Sequence, residues 1–217
     1  MLQLKETHDG SFTLFNETLN ETYHSTHGAR QEALHVFIKN GLEEVNQMPL
    51  NILEVGLGTG LNAMLTFSQT KEKAIHYAAL EPFPIDKVIL AEIIKCNAIN
   101  NSETALWNQL AFAESDEIKS INNNSTFCWH QQTLQAFEPN ERFDLIYFDA
   151  FAPNKQSEMW DISIFEKLYS LMNDGAILVT YCAQGQFKRN LKAAGFTAEA
   201  KPGPPGKREM TVAYKGI

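Results

Sequence analysis

Three acidic residues and a run of glycines stand where this chain could do chemistry. Glu54-Val55-Gly56-Leu57-Gly58-Thr59-Gly60 closes the apolar run Leu50–Val55 and opens a helical stretch, Leu61–Ser68. Glycines at such a junction let the backbone turn sharply and let a ligand approach it closely, beside the unpaired N–H groups of a helix start. A dinucleotide-binding turn would need glycine or alanine where Leu61 stands, so the spacing points to another ligand. Glu81 follows a second apolar run, Ile75–Leu80, and a carboxylate there can accept both hydroxyls of a ribose. Asp149 follows a third, Phe143–Phe148, and leads into Ala150-Phe151-Ala152-Pro153. From residue types alone, a tight turn, a strand-end charge and a loop-tying Asp remain open for these three places.

The elements that must position them alternate between strand and helix. Residues 1–24 are polar and rich in Thr and Asn, which suits an extended segment or short hairpin. Ala33, Leu34, Phe37, Ile38, Leu42 and Val45 recur at helical spacing over Ala29–Val45. Further helices are expected over Ile85–Asn97, after Pro84, over Ile162–Met172, ended by Asn173-Asp174-Gly175, and over Gln186–Ala194, closed by Gly195. Further strands are expected over Ser125–His130, Ala176–Cys182, Phe196–Lys201 and Met210–Tyr214, with a short helix and an Asn-rich loop across 100–124. Near-continuous apolar strands alternating with helices predict an α/β fold with a mostly parallel sheet covered on both faces. The last two strands, joined by the PGPPGK turn without a helix, should pair antiparallel. In such a sheet the ligand sits beyond the carboxyl ends of the strands, where Gly56, Glu81 and Asp149 stand.

Composition narrows the class. The 217 residues, 44% of them hydrophobic, suit a single globular domain spanning 1–217. No apolar run is long enough to span a bilayer, and the N-terminus lacks the pattern of a signal peptide. Cys96, Cys128 and Cys182 are widely spaced, so a cytoplasmic protein without disulfides or a structural metal is expected. His24 and His27 lack a nearby third ligand. The net charge of −8 argues against non-specific nucleic-acid binding. Residues 185–217, however, hold seven basic residues and only two acidic ones. That end could dock a polyanion, or form an ordinary solvated helix face and charged turn.

The E-x-G-x-G-x-G turn with both strand-end acids resembles class I S-adenosylmethionine-dependent methyltransferases, whose sheet has seven strands in a Rossmann-like arrangement. The stretches FDLIYFDAFAPNKQSEMW, LVTYCAQGQFKRNLKAAGF and PGPPGKREM, with Tyr23, Ser25, Gly28, Ala29 and Glu32, are similar to the MnmC-like family, which acts on tRNA wobble uridines. The similarity runs from about Phe12 to Tyr214, and implies 1–45 as an extension and helix on the substrate side and 46–217 as the cofactor-binding core. It implies N-methylation of a 5-aminomethyl group, often on 2-thiouridine, in the anticodon region of tRNA. Some family members carry a flavin-dependent oxidase domain; the resemblance here is to the standalone type, without flavin or metal. It implies that Gly56, Gly58 and Gly60 border the methionine end of the cofactor, that Glu54 supports the turn, and that Glu81 holds the ribose. Gln131, at the end of the third parallel strand, takes the place of an adenine-binding Asp. Asp149 is the expected catalytic residue, orienting and deprotonating the amine. Phe151, Trp160 and Tyr181 are expected around the uracil, Tyr23 is a further expected substrate-binding residue, and Lys207 and Arg208, with Lys188 and Arg189, are expected at the anticodon-stem phosphates. Three other readings stay open: a transferase acting on a small amine, as aminopropyltransferases do, an NAD-dependent oxidoreductase, and a non-catalytic RNA-binding module.

Overall fold

The structure, a computed structural model, describes residues 1–70 and 73–216. The polar N-terminus forms a small antiparallel sheet of β1 (Leu2–Glu6), β2 (Phe12–Asn16) and β3 (Glu21–Thr22). Next comes α1 (Ala29–Ala33), whose helical path continues as a wider π-helical segment over Leu34–Lys39 and then a 3-10 turn at Leu42–Glu44. The apolar positions expected for one regular helix are thus inward, but the winding is not regular. At its end the His35 carbonyl accepts from both the backbone and the side-chain amide of Asn40.

The core elements follow as β4 (Leu50–Val55), α2 (Leu61–Gln69), β5 (Ile75–Leu80), α3 (Lys87–Asn97), α4 (Asn101–Ala111), β6 (Lys119–Asn122), β7 (Ser125–His130), β8 (Phe143–Phe148), α5 (Ile162–Leu171), β9 (Met172–Thr180), α6 (Gly185–Ala193), β10 (Thr197–Pro202) and β11 (Glu209–Tyr214). Among the described residues the large sheet has the order β10-β11-β9-β8-β4-β5-β7-β6. β4, β5, β7, β8 and β9 run parallel, and β11 lies antiparallel to both β9 and β10. Seven of these strands are the expected Rossmann-like set. The eighth, β6, is a short polar edge strand paired antiparallel with β7 through an irregular register, in a region expected as loop. Its KSIN sequence carries no apolar alternation, because an edge strand buries little. Asn173, Asp174 and Gly175 also differ from expectation. They form an irregularity inside β9, opposite β8, rather than a turn before it.

Each face of the sheet buries its own cluster. Ile52, Tyr77, Leu145, Tyr147 and Val179 point toward α1, the π-helical segment, α2, α3 and α4. Leu53, Val55, Leu80, Phe148 and Leu178 point toward α5 and α6. Two-sided burial explains why the central strands read as continuous apolar runs rather than alternating ones.

The register then sets the site. Val55 is level with Leu80 on one side and Phe148 on the other, and Leu80 is level with His130. Gly56, Glu81, Asp149 and Gln131 therefore emerge at one height, where the chain reverses its order across the sheet. The main chain holds them there: Gly56 N donates to Leu80 O (3.0 Å), Asp149 N to Val55 O (2.9 Å) and Glu81 N to His130 O (3.1 Å).

Candidate active site

A cavity of about 1010 Å³ opens above these strand ends. Gly56, Gly58, Glu81 and Asp149 line its floor, the N-terminal sheet and α1 line the opposite side, and Phe151, Tyr181 and Lys207 complete the wall.

The glycine turn has a steric reason at two positions. Gly56 has φ +93°, and a side chain on it would lie 2.7 Å from the Asp149 carbonyl oxygen. The first glycine thus lets β4 and β8 close together beneath the catalytic candidate. Gly58 has φ +52°, and a side chain there would point at the Tyr23 ring, 3.2 Å away. It keeps open the space between turn and roof. Gly60 starts α2 with φ +75° and lines a smaller cavity of about 330 Å³ on the far side of the turn. The Trp107 indole pins the turn from behind by donating to Thr59 O at 2.8 Å.

The three acids differ sharply in environment. Glu54 is wholly buried under the turn, accepting from Asn62 Nδ2 and from the Tyr77 hydroxyl, both at 2.9 Å. Burial pushes its carboxyl well above the usual range, against the two donated bonds. It touches no open space, so its role is support. Glu81 lines the cavity, and its two oxygens accept from the backbone of Gly58 (2.9 Å) and Phe83 (3.0 Å). Burial raises this carboxyl too, and the two N–H donors oppose the shift. Each oxygen keeps a lone pair for a ligand hydroxyl.

Asp149 accepts from Asn62 Nδ2 at 2.9 Å. Burial pushes its carboxyl up to about 7, the Asn62 bond lowers it, Glu32 raises it and Lys207 lowers it. A carboxyl balanced near neutrality can exchange a proton with an amine at working pH.

The aromatic residues separate into wall and core. Tyr23 meets Phe151 edge-on, with centroids 5.1 Å apart, and both line the cavity. Burial and the nearby Glu81 carboxylate push the Tyr23 hydroxyl up to about 12, so it stays protonated. Tyr181 lines the cavity with its hydroxyl donated to Ala150 O at 2.8 Å. Trp160 does not join them. It is only 4% exposed, packed edge-on against Phe148 and Phe187, with its indole N–H donated to Phe151 O at 2.7 Å. Its part is to hold the Phe151 backbone, which corrects its expected place as a stacking surface.

The basic residues also differ from expectation. Lys207 points inward, paired with Glu32 and 4.0 Å above the Tyr181 ring. It is part of the cavity wall, not of an outer phosphate-gripping surface. Lys188 pairs with Glu209 at 3.0 Å, Lys201 with Glu199 at 3.4 Å and Lys215 with Asp174 at 3.6 Å. Among the described residues Arg189, Lys192 and Arg208 form no ion pair, and Arg208 is exposed. Gln131 is exposed and lines the smaller cavity, whereas Gln132 lines the larger one. Successive residues leaving a strand face opposite ways, so the side-chain amide on the main cavity is that of Gln132, not Gln131.

Sequence reasoning did not single out Asn62, Glu32 as a cavity residue, Phe83 or Lys155. Asn62 and Thr66 share one face of α2, one turn apart. Thr66 donates to the Asn62 carbonyl at 2.8 Å and meets the Tyr147 hydroxyl at 3.2 Å. Lys155 Nζ donates to Leu19 O and Asn20 O, both at 3.0 Å, tying the loop after Asp149 to the turn between β2 and β3. Among the described residues no group of three or more His, Cys, Asp and Glu is placed to hold a metal ion, and no helix is long and apolar enough to cross a membrane.

Comparison with known proteins gives this geometry a context. Residues 96–216 match a family described as S-adenosyl-L-methionine-dependent methyltransferase. The chain is 31% identical, over 93% of its length, to the tRNA 5-methylaminomethyl-2-thiouridine biosynthesis bifunctional protein MnmC of Cupriavidus metallidurans. It is 29% identical, over 95%, to the protein of that name from Leptospira interrogans. The chain spans about a third of the length of these relatives, 32% and 34%. The crystal structure of MNMC2 from Aquifex aeolicus has a TM-score of 0.82 at 21% identity, covering 98% of this chain and 70% of that one. Spermidine synthase from Thermotoga maritima has a TM-score of 0.57 at 11% identity, covering 99% and 68%. Likeness at such identities is likeness of fold.

Proposed function

Because this chain belongs to the S-adenosyl-L-methionine-dependent methyltransferases, we propose that it methylates the primary amine of a 5-aminomethyluridine, with or without 2-thiolation, at the wobble position of tRNA. The observation that carries the reading is Asp149: a carboxyl held near neutral pKa, at the floor of a cavity walled by aromatic rings, beside the glycine turn. The names of the relatives, which contain the product nucleoside, supply the acceptor class.

The residues present suit the cofactor. The floor is kept free of side chains at Gly56 and Gly58, where added atoms would meet Asp149 O and the Tyr23 ring. Gly56 and Gly58 would border the methionine moiety, and the Glu81 carboxylate would accept from the ribose. Pro82, Phe83 and Leu134 offer apolar surfaces to the purine, and Gln132 an uncharged amide to its edge. When bound there, the cofactor supplies a methyl group on a sulfonium, which an unprotonated amine aligned with it can take.

The chain's own task is to bring that amine in line and remove its proton. An alkylammonium is drawn by Asp149 and Glu32 and gives its proton to the Asp149 carboxylate, which exposes the lone pair. Tyr23, Phe151 and Tyr181 present π surfaces to the uracil, and stacking of one base contributes about 1–3 kcal/mol. We place the tRNA at the mouth of the cavity beside Arg208 and Arg189, and the enzyme in the cytoplasm, where tRNA is found.

Transfer of labelled methyl from S-adenosylmethionine to tRNA carrying 5-aminomethyluridine, followed by nucleoside mass analysis, tests the reading. A gain of one methyl at the wobble base is expected. With Asp149→Asn, turnover should fall about 100- to 10,000-fold while cofactor affinity stays within a few-fold. Because Asp149 must be ionised to accept a proton, kcat/KM should rise with pH through about 7. Tight cofactor binding without transfer to RNA, but with transfer to a small amine, would replace this reading.

A further inference from the structure

We propose that Asn62 is a positioning residue: its side-chain amide fixes the Asp149 carboxylate and ties it to the buried carboxyl of Glu54. The inference rests on the reading of Asp149 as proton acceptor and extends it to a neighbouring residue of the cavity lining that acts through that carboxyl.

The geometry leaves few other roles for this side chain. Asn62 is 3% exposed and lies in the first turn of α2, directly after the glycine turn. Its Nδ2 donates to Asp149 Oδ2 and to Glu54 Oε1, each at 2.9 Å. An amide NH2 has two hydrogens, and both are used. A hydroxyl could serve one acid only, and an aspartate would add a third carboxyl between the other two. Glu54 is held from its other oxygen by Tyr77, and the Asn62 backbone is held by Thr66. The amide oxygen Oδ1 is buried and, among the described residues, has no partner. The side chain is therefore set by what its nitrogen donates, since its oxygen gains nothing from this orientation.

The consequence falls on the ionisation and aim of Asp149. The charged and titratable groups around it come from several elements: Glu32 from α1, Glu54 from β4, Tyr77 from β5, Tyr181 following β9, and Lys207 from the turn before β11. Burial and Glu32 favour the neutral acid, and Asn62 and Lys207 favour the carboxylate. The Asn62 bond occupies Oδ2 and leaves Oδ1 to face an incoming amine. Without it, Asp149 holds its proton to higher pH and turns more freely.

Asn62→Ala and the similarly sized Asn62→Leu, each in the full chain, test this. The readouts are kcat and KM for tRNA across the neutral pH range, cofactor affinity by calorimetry, and the Asp149 titration by NMR of carboxyl-labelled protein, with Asp149→Asn to identify the signal. We expect both the acid limb of kcat/KM and the Asp149 titration to move upward by about one pH unit. Activity at neutral pH should fall about 10- to 100-fold and recover in part at higher pH, with cofactor affinity within a few-fold. A folded variant whose Asp149 titration does not move overturns the proposal, whether or not tRNA proves to be the acceptor. If neither variant folds, Asn62 is a structural residue and the proposal fails. Absence of methyl transfer in the unaltered enzyme would instead count against the substrate reading, since the NMR titration needs no substrate.

Discussion

The floor and the roof of the cavity are built by different means. The floor is a set of strand ends, where Gly56, Glu81 and Asp149 sit at one height because β4, β5 and β8 are in register. Backbone hydrogen bonds hold it, and each functional residue follows its own apolar strand by one position. The roof is assembled from distant parts of the chain: the β2–β3 turn, α1 and the PGPPGK turn. A few side-chain ties hold it, between Lys207 and Glu32, 175 residues apart, and from Lys155 to Leu19 and Asn20. A floor made of sheet is expected to be rigid and a roof made of side-chain ties adjustable. That division suits the proposed reaction, in which one small cofactor is held and one large acceptor admitted.

Breaking the floor should have the largest effect. Gly56→Ala would put a methyl group 2.7 Å from the Asp149 carbonyl at φ +93°. Neither strand can yield, because Gly56 N and Asp149 N are both in the ladder. Backbone strain of about 1–3 kcal/mol adds to the clash, so the turn must move. Cofactor affinity should fall at least about 10-fold, and turnover with it. Calorimetry with S-adenosylmethionine, beside thermal unfolding, separates loss of the site from loss of the fold. Undiminished affinity would mean that the turn is not the cofactor's floor.

The roof should respond by tuning rather than by failure. Lys207 lowers and Glu32 raises the Asp149 carboxyl, so their removal has opposite signs. Lys207→Met should move the acid limb of kcat/KM to higher pH, and Glu32→Gln to lower pH, each by up to about one unit. The two are not equivalent for stability. Glu32 is only 7% exposed, so Lys207→Met leaves a nearly buried carboxyl without its cation, at a cost of roughly 1.5–3 kcal/mol. Shifts of the same sign in both variants would show that the pair acts through roof geometry and not through charge.

The same division explains what the sequence could say. Glu54, the glycines, Glu81 and Asp149 are legible because a parallel strand buried on both faces is a continuous apolar run, and whatever interrupts it stands at the site. Asn62 was not legible: it reads as an ordinary polar residue in a helix's first turn, and only the fold reveals two acids within reach. The inward course of Lys207 was hidden for a like reason, since its partner lies at the other end of the chain. Trp160 and Tyr181 look alike as aromatics near the site, yet packing sends one into the α5–α6 core and the other to the wall. Gln131 and Gln132 differ by one position, and strand alternation decides between them. β6 left no trace because an edge strand of polar residues has no pattern to read.

The smallest effect should come from Lys155. It contributes two hydrogen bonds to the roof, to Leu19 O and Asn20 O, each worth about 0.5–1.5 kcal/mol net. Neither of these bonds goes to the glycine turn or to Glu81. Lys155→Ala should therefore leave cofactor affinity and kcat nearly unchanged and raise KM for tRNA a few-fold, as the β2–β3 turn samples positions that no longer frame the acceptor. Lys155→Arg, which keeps the charge and donors, should recover much of the loss. Salt gives a further separation. If Lys155 acted on RNA phosphates, its removal would flatten the salt dependence of KM; if it acts on the roof, KM rises with the slope unchanged. A flattened slope would move Lys155 from the architecture of the cavity to the surface that meets the RNA, and the roof would then rest on its other ties, the Lys207–Glu32 pair and the Tyr23–Phe151 contact among them.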